Sequence, residues 1–166
     1  MKTGQAGLAL IKKHEGCRLV AYLDATGTPT IGWGHTGNVS LGNTVTQAQA
    51  DALLVQDLAE CEQTINDSGV TLNQNQFDAM VSLLYNCGTG VFHNFTALIQ
   101  AKNWQGVTLK MSKYTISKGL QLTELVNRRA EEIDLFNTKN TMQTIDYVIL
   151  TLWLILGALI AYKIFN

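Results

Sequence analysis

From residue 5 to residue 15, apolar side chains fall at Ala6, Leu8, Leu10 and Ile11. This spacing predicts a short amphipathic helix, which Gly16 is placed to end. The period then changes. Residues 19–23 read as a strand, residues 24–29 are rich in turn formers, and residues 30–33 read as the returning strand. Glycines at 32, 34, 37 and 42 make the next region loop-like. Residues 46–65 carry one apolar stripe, Ala50, Leu53, Leu54, Leu58 and Cys61, with Thr46 placed to cap a long helix. Further helical patterns cover residues 73–86, 94–101, 103–112 and 122–136. The pattern predicts an α+β fold: a small β-containing lobe near the start, a long connecting helix, and a larger helical lobe. No internal repeat or low-complexity tract interrupts it.

The last part of the chain follows a different rule. Residues 138–146 are mostly polar and read as a linker. Residues 147–162 carry no charge, and Tyr147 and Tyr162 bracket them like interfacial aromatics. Sixteen helical residues rise roughly 24 Å, and with Lys163 snorkelling the segment approaches the ~30 Å hydrocarbon core. An all-round apolar helix is hard to cover in a domain this small. The tail, residues 147–165, is therefore expected to be a transmembrane helix following a catalytic domain of residues 1–137.

Length and composition add limits. The 166 residues fit one domain of ordinary size, and with 46% hydrophobic residues a packed core is expected. A net charge of −1 without a run of like charge gives no reason to expect nucleic acid. The pairs Lys12–Lys13 and Arg128–Arg129 read as solvated faces. Cys17, Cys61 and Cys87 form no CxxC pair, which argues against zinc; they are expected as buried packing residues, with one disulfide possible outside the cytoplasm. The start of the chain has the composition of neither a secretory signal nor a membrane anchor.

Glycoside hydrolysis needs a proton donor at the leaving oxygen and a second group across the scissile bond. Glu15 falls at a helix C-terminus, where partial negative charge suits a proton donor. Asp24 closes the first strand, and the hairpin folds Thr30 back toward it, so a carboxylate and a hydroxyl stand ready to hold one water. Spacing alone is weak support, because a Glu and an Asp nine residues apart are usually solvated surface residues.

The wording around them is more specific. The run HEGCRLVAYLDATGTPTIGWGHTG, residues 14–37, closely resembles the glycoside hydrolase family of phage lysozymes, which includes the T-even phage enzyme and the lambdoid endolysins. The family's Glu, eight residues, Asp, five residues, Thr pattern falls on Glu15, Asp24 and Thr30. FDAMVSLLYNCGTGVF, residues 77–92, and LVNRRAEEIDLF, residues 125–136, resemble two further family segments in the right order. The resemblance implies a lysozyme-like fold that cleaves the β-1,4 bond between N-acetylmuramic acid and N-acetylglucosamine in peptidoglycan, with inversion, lysing the host cell. No cofactor or metal is implied, and a monomer is expected.

The resemblance also implies roles. Glu15 matches the general acid, while Asp24 and Thr30 match the pair that positions water. His35 with Asp57 reads as a structural pair, and Arg128 faces the acid across the cleft. Tyr85 and Asn86 match a cleft-lining segment, and Thr36 is a further contact. Trp33 and Trp104 read as core residues rather than sugar platforms. Residues 112–124 depart from the family by lacking its Pro. Many relatives carry an apolar segment at the N-terminus, whereas here it lies at the opposite end. The tail's Leu- and Ile-rich composition, with Arg128, Arg129 and Lys139 before it, favours retention in the inner membrane with the catalytic domain cytoplasmic, and implies dependence on a holin-like pore.

The sequence leaves two rival readings. A zinc amidase would need His14, His35 and His93 to converge as ligands, and none has HExxH-like spacing. A membrane-tethered, non-catalytic glycan-binding or lysis-regulating protein could use the same fold.

Overall fold

The computed structural model describes residues 1–117, 119–139 and 152. Helix α1 (Gln5–Glu15) leads into an antiparallel hairpin, β1 (Arg18–Leu23) and β2 (Pro29–Gly32). The register pairs Tyr22 with Thr30 and Leu23 with Pro29, and it shifts between Arg18 and Tyr22. Helix α2 (Gln47–Asp67), roughly 31 Å long at 1.5 Å per residue, connects this small lobe to the rest. The helical lobe contains α3 (Gln74–Cys87), a 3₁₀ turn (Thr89–Val91), α4 (His93–Gln100), α5 (Trp104–Met111) and α6 (Thr123–Asn137). A second hairpin, β3 (Ile116–Ser117) with β4 (Leu120–Gln121), joins the last two helices. The architecture is the α+β, helix-dominated arrangement expected.

Helix α3 is the centre of the helical lobe, and every residue from Gln76 to Leu84 is buried. Phe77, Met80, Leu83 and Leu84 pack with Leu58 of α2, Phe95 of α4, Met111 of α5 and Phe136 of α6. Each such side chain contributes about 1.5–3 kcal/mol relative to an exposed one, so the lobe is held mainly from this axis. Capping boxes set two helix starts: Thr46 with Gln49 on α2, and Asn73 with Gln76 on α3.

Helix α1 obtains its cap from another helix. Gly4 offers no side chain, and Asp78 of α3 reaches across instead. Its Oδ1 accepts from Gly4 N–H at 2.8 Å and its Oδ2 from Gly7 N–H at 3.1 Å. A carboxylate here also answers the positive end of the helix dipole. A Cβ on Gly4 or Gly7 would fall 2.9 or 2.8 Å from Asp78 atoms, so the close approach requires glycine at both positions. The result fixes one end of the rod whose other end is Glu15.

Two sequence expectations change. Arg128 and Arg129 are buried, at 4% and 1% exposure, rather than solvated. All three cysteines are free thiols, and only Cys61 is buried; Cys17 and Cys87 are partly exposed. Burial pushes the Cys61 thiol up to about 11. The 3₁₀ turn and the β3–β4 hairpin had no counterpart in the hydrophobic pattern. Among the described residues, no helix is long and apolar enough to cross a membrane. The expected transmembrane helix at residues 147–165 lies outside the described residues, Leu152 apart.

Candidate active site

Glu15 is the last residue of α1, and Gly16 turns the chain out of the helix at φ 65°. That positive φ is open to glycine at little cost. The Glu15 side chain is 22% exposed, and its Oε1 accepts from Arg128 Nη1 at 2.6 Å. Its Oε2 has no hydrogen bond among the described residues and lies by Gly34, whose missing Cβ would stand 3.8 Å away. The carboxyl is thus held by one oxygen and open at the other.

A cleft of about 680 Å³ runs beside it. Gly34 to Gly37 of the small lobe, Gln56, Asp57, Glu60 and Cys61 of α2, and Leu84 and Tyr85 of α3 line it. The structure therefore brings Glu15, Thr36, Tyr85, His35 and Asp57 to one cleft. His35 Nδ1 lies 2.9 Å from Asp57 Oδ1, and its Nε2 lies 2.8 Å from the Gly37 carbonyl oxygen, both within hydrogen-bond distance. This pins the loop against α2. Tyr85 Oη donates to the Trp33 carbonyl at 3.1 Å. Burial, joined by the negative charges of Asp57 and Glu15, pushes its pKa well up, so it remains a neutral donor.

Asp24 and Thr30 stand in the hairpin and do not belong to the lining of that cleft. Asp24 Oδ1 accepts from Thr26 N–H (2.8 Å), Thr26 Oγ1 (2.7 Å) and Thr28 N–H (2.9 Å). The Thr28 amide foremost, then the Thr26 hydroxyl and amide, hold its carboxyl below the usual range. It is a ready carboxylate in an accessible place. Thr30 is buried, and its Oγ1 donates to the Thr28 carbonyl at 3.0 Å, leaving the hydroxyl oxygen able to accept.

Asn86 goes elsewhere. It lines a separate pocket of about 360 Å³ with Cys87 and Tyr114, and its Oδ1 accepts from Arg129 Nη2 at 3.1 Å. Trp33 and Trp104 both pack against the main core. Trp33 Nε1 donates to Asp51 Oδ1 at 2.7 Å, and Trp104 lies 6.0 Å from the Phe136 ring centre. His14, His35 and His93 face Glu131, Asp57 and the Gly90 carbonyl respectively, so they do not converge.

The sequence reading missed what lies behind Arg128. Glu132, fully buried, accepts through Oε1 from Arg128 Nε (3.2 Å), Arg129 Nη2 (2.8 Å) and Ser82 Oγ (2.7 Å). Its Oε2 lies 2.7 Å from Arg129 Nε, close in charge but poorly aligned for a hydrogen bond. The spacing of Glu132 from Arg129 and Arg128, i,i+3 and i,i+4, was the available signal.

Two lobes facing each other over a carboxylate-bearing cleft are the architecture of lysozyme-type enzymes. The sequence pattern of the phage lysozyme family matches residues 12–132, and the chain belongs to that family. An endolysin of Acyrthosiphon pisum secondary endosymbiont phage 1 is 37% identical over 145 residues, which is 83% of this chain and 99% of that protein. An endolysin of Lactococcus phage c2 is 42% identical over 146 residues, which is 82% of this chain but 61% of that longer protein. A crystal structure of a P22 lysozyme mutant superposes with a TM-score of 0.76 at 36% identity, covering 83% of this chain and 99% of that one. The chain is accordingly an enzyme, a lysozyme acting on the bacterial cell wall.

Proposed function

We propose that this enzyme hydrolyses the β-1,4 bond between N-acetylmuramic acid and N-acetylglucosamine in peptidoglycan, with inversion, and so lyses the host. The observation that carries this reading is the Glu15 carboxyl, braced by buried Arg128 through one oxygen and open at the cleft through the other. Glu15 protonates the leaving oxygen. Asp24, held ionised by its hairpin donors, and Thr30, with an oxygen free to accept, position and activate the attacking water on the opposite face of the sugar. Thr36 and Tyr85 contact the glycan. His35 and Asp57 keep the cleft loop in place. Asn86, turned toward Arg129, takes a supporting place rather than a sugar contact. The enzyme works as a monomer without a cofactor.

Inversion sets the test. The full chain, given purified peptidoglycan, should release fragments with new N-acetylmuramic reducing ends whose first-formed anomer, read by NMR before mutarotation, is α. N-acetylglucosamine reducing ends would reject the bond assignment, and a β first product would reject inversion.

For the tail, we propose that residues 138–146 link the catalytic domain to a membrane helix at residues 147–165. The uncharged run bracketed by Tyr147 and Tyr162 supports this. The catalytic domain then waits on the cytoplasmic side of the inner membrane until a holin-like pore or membrane collapse admits it to the wall. Carbonate-washed membranes should retain the full chain and lose it when residues 147–166 are deleted. Recovery of the full chain in the soluble fraction would count against insertion, and protease-accessible catalytic domain in the periplasm of intact cells would count against the topology.

A further inference from the structure

Arg128 meets Glu15 only if its guanidinium lies in one plane and points one way. Three acceptors define that plane. Nη1 donates to Glu15 Oε1, Nη2 to the Ser82 carbonyl at 3.2 Å, and Nε to Glu132 Oε1 at 3.2 Å. A guanidinium is a rigid fork, so fixing two of its nitrogens fixes the direction of the third. Both fixing contacts trace to one place. Ser82 supplies the carbonyl, and its hydroxyl also donates to Glu132 Oε1. Arg129 holds Glu132 from the other side with Nη2, while its Nη1 reaches Cys87 Sγ and the Tyr114 carbonyl.

The charges point the same way. Arg128, Arg129 and Glu132 are all buried, and two guanidiniums against one carboxylate leave one positive charge unanswered within the cluster. Glu15 is the carboxylate placed to answer it, from the partly exposed side. Removing the negative charge of Glu132 would weaken its hold on Arg128 Nε and leave two buried cations competing for Glu15.

We propose that Glu132 is a positioning residue for the reaction: through Arg128 it sets where the Glu15 carboxyl stands, and Ser82 and Arg129 hold Glu132 in place for that task. This rests on Glu15 being the general acid. A misplaced acid harms the bond-breaking step more than glycan binding, so the loss falls on kcat rather than KM.

The test compares Glu132→Gln, Arg128→Met and the double variant in the full chain, measuring fragment release over a range of peptidoglycan concentrations, with melting curves as a check on folding. Glu132→Gln should lower kcat about tenfold with KM nearly unchanged, and should lower it no further once Arg128 is already Met, because contacting residues are not additive. A folded Glu132→Gln with the parent's kcat, or losses that multiply in the double variant, would overturn the proposal. If Glu132→Gln does not fold, Ser82→Ala takes its place, removing one neutral donor from Glu132 while keeping every charge. A drop in kcat at constant KM supports the proposal, and an unchanged kcat refutes it. Glu15→Gln is measured alongside: full activity there removes the acid assignment itself, whereas an inactive Glu15→Gln beside a fully active, folded Glu132→Gln removes only the role of Glu132.

Discussion

Glu15→Gln should lower kcat on peptidoglycan by about 10²–10⁴-fold, the usual contribution of a positioned general acid. The substitution is nearly isosteric, and the amide oxygen can still accept from Arg128 Nη1 across the 2.6 Å contact of the parent. The change therefore removes the transferable proton while leaving the shape of the site. Apparent KM should stay close to the parent, because an interaction made in the transition state is lost rather than a ground-state contact. The measurement is initial release of soluble fragments, with melting temperature followed to separate chemistry from folding. Equal rates for parent and variant would mean that the proton comes from another group. A loss confined to KM would assign Glu15 to binding.

Asp24→Asn should have the next largest effect, again about 10²–10⁴-fold in rate, because the amide cannot take the proton from the attacking water. The hairpin around Asp24 adds a pH signature. The Thr28 amide first, then the Thr26 hydroxyl and amide, favour its charged form, so the active carboxylate persists below the pH at which an ordinary aspartate is neutralised. Thr26→Ala deletes one of those donors, the hydroxyl at 2.7 Å, and keeps both backbone contacts. The carboxyl then takes up its proton at higher pH. The acidic limb of the kcat/KM profile should move upward in pH for Thr26→Ala, with activity on the plateau largely kept. An acidic limb that stays in place, or moves downward, would show that Asp24 does not govern it.

Much of this was legible in the chain. Helix starts at Thr46 and Asn73, the turn at Gly16 and the first hairpin follow from local chemistry, because capping and turn residues act on their own neighbours. His35, Thr36 and Tyr85, which line the cleft, were singled out through the resemblance rather than through any periodicity. What stayed hidden is long-range. Arg128 and Arg129 look like surface charges because a sequence shows charge but not the carboxylate folded over it, and Glu132 with Ser82 makes them affordable inside. Nothing in the local pattern marks Asp78, which caps a helix seventy-odd residues earlier. Asn86 adjoins Tyr85 in sequence, but the next helical position turns it away from the cleft toward Arg129. The β3–β4 strands are two residues each, too short for any pattern to register.

The strut from Asp78 to α1 has a consequence for the ribosome's order of work. Glu15 is among the first residues made, but the groups that seat it arrive late: Asp78 at the far end of its helix and Arg128 at the carboxyl itself, 113 residues downstream. A chain emerges N-terminus first, so α1 must wait, unseated, through the synthesis of nearly the whole domain. Contacts of such long sequence separation close slowly and last. If Glu15 is the acid as proposed, the nascent chain carries it without its Arg128 partner until α6 docks, and a product that stops short of α6 is expected to be inactive. On the proposed mechanism, hydrolytic power would come only with a finished domain.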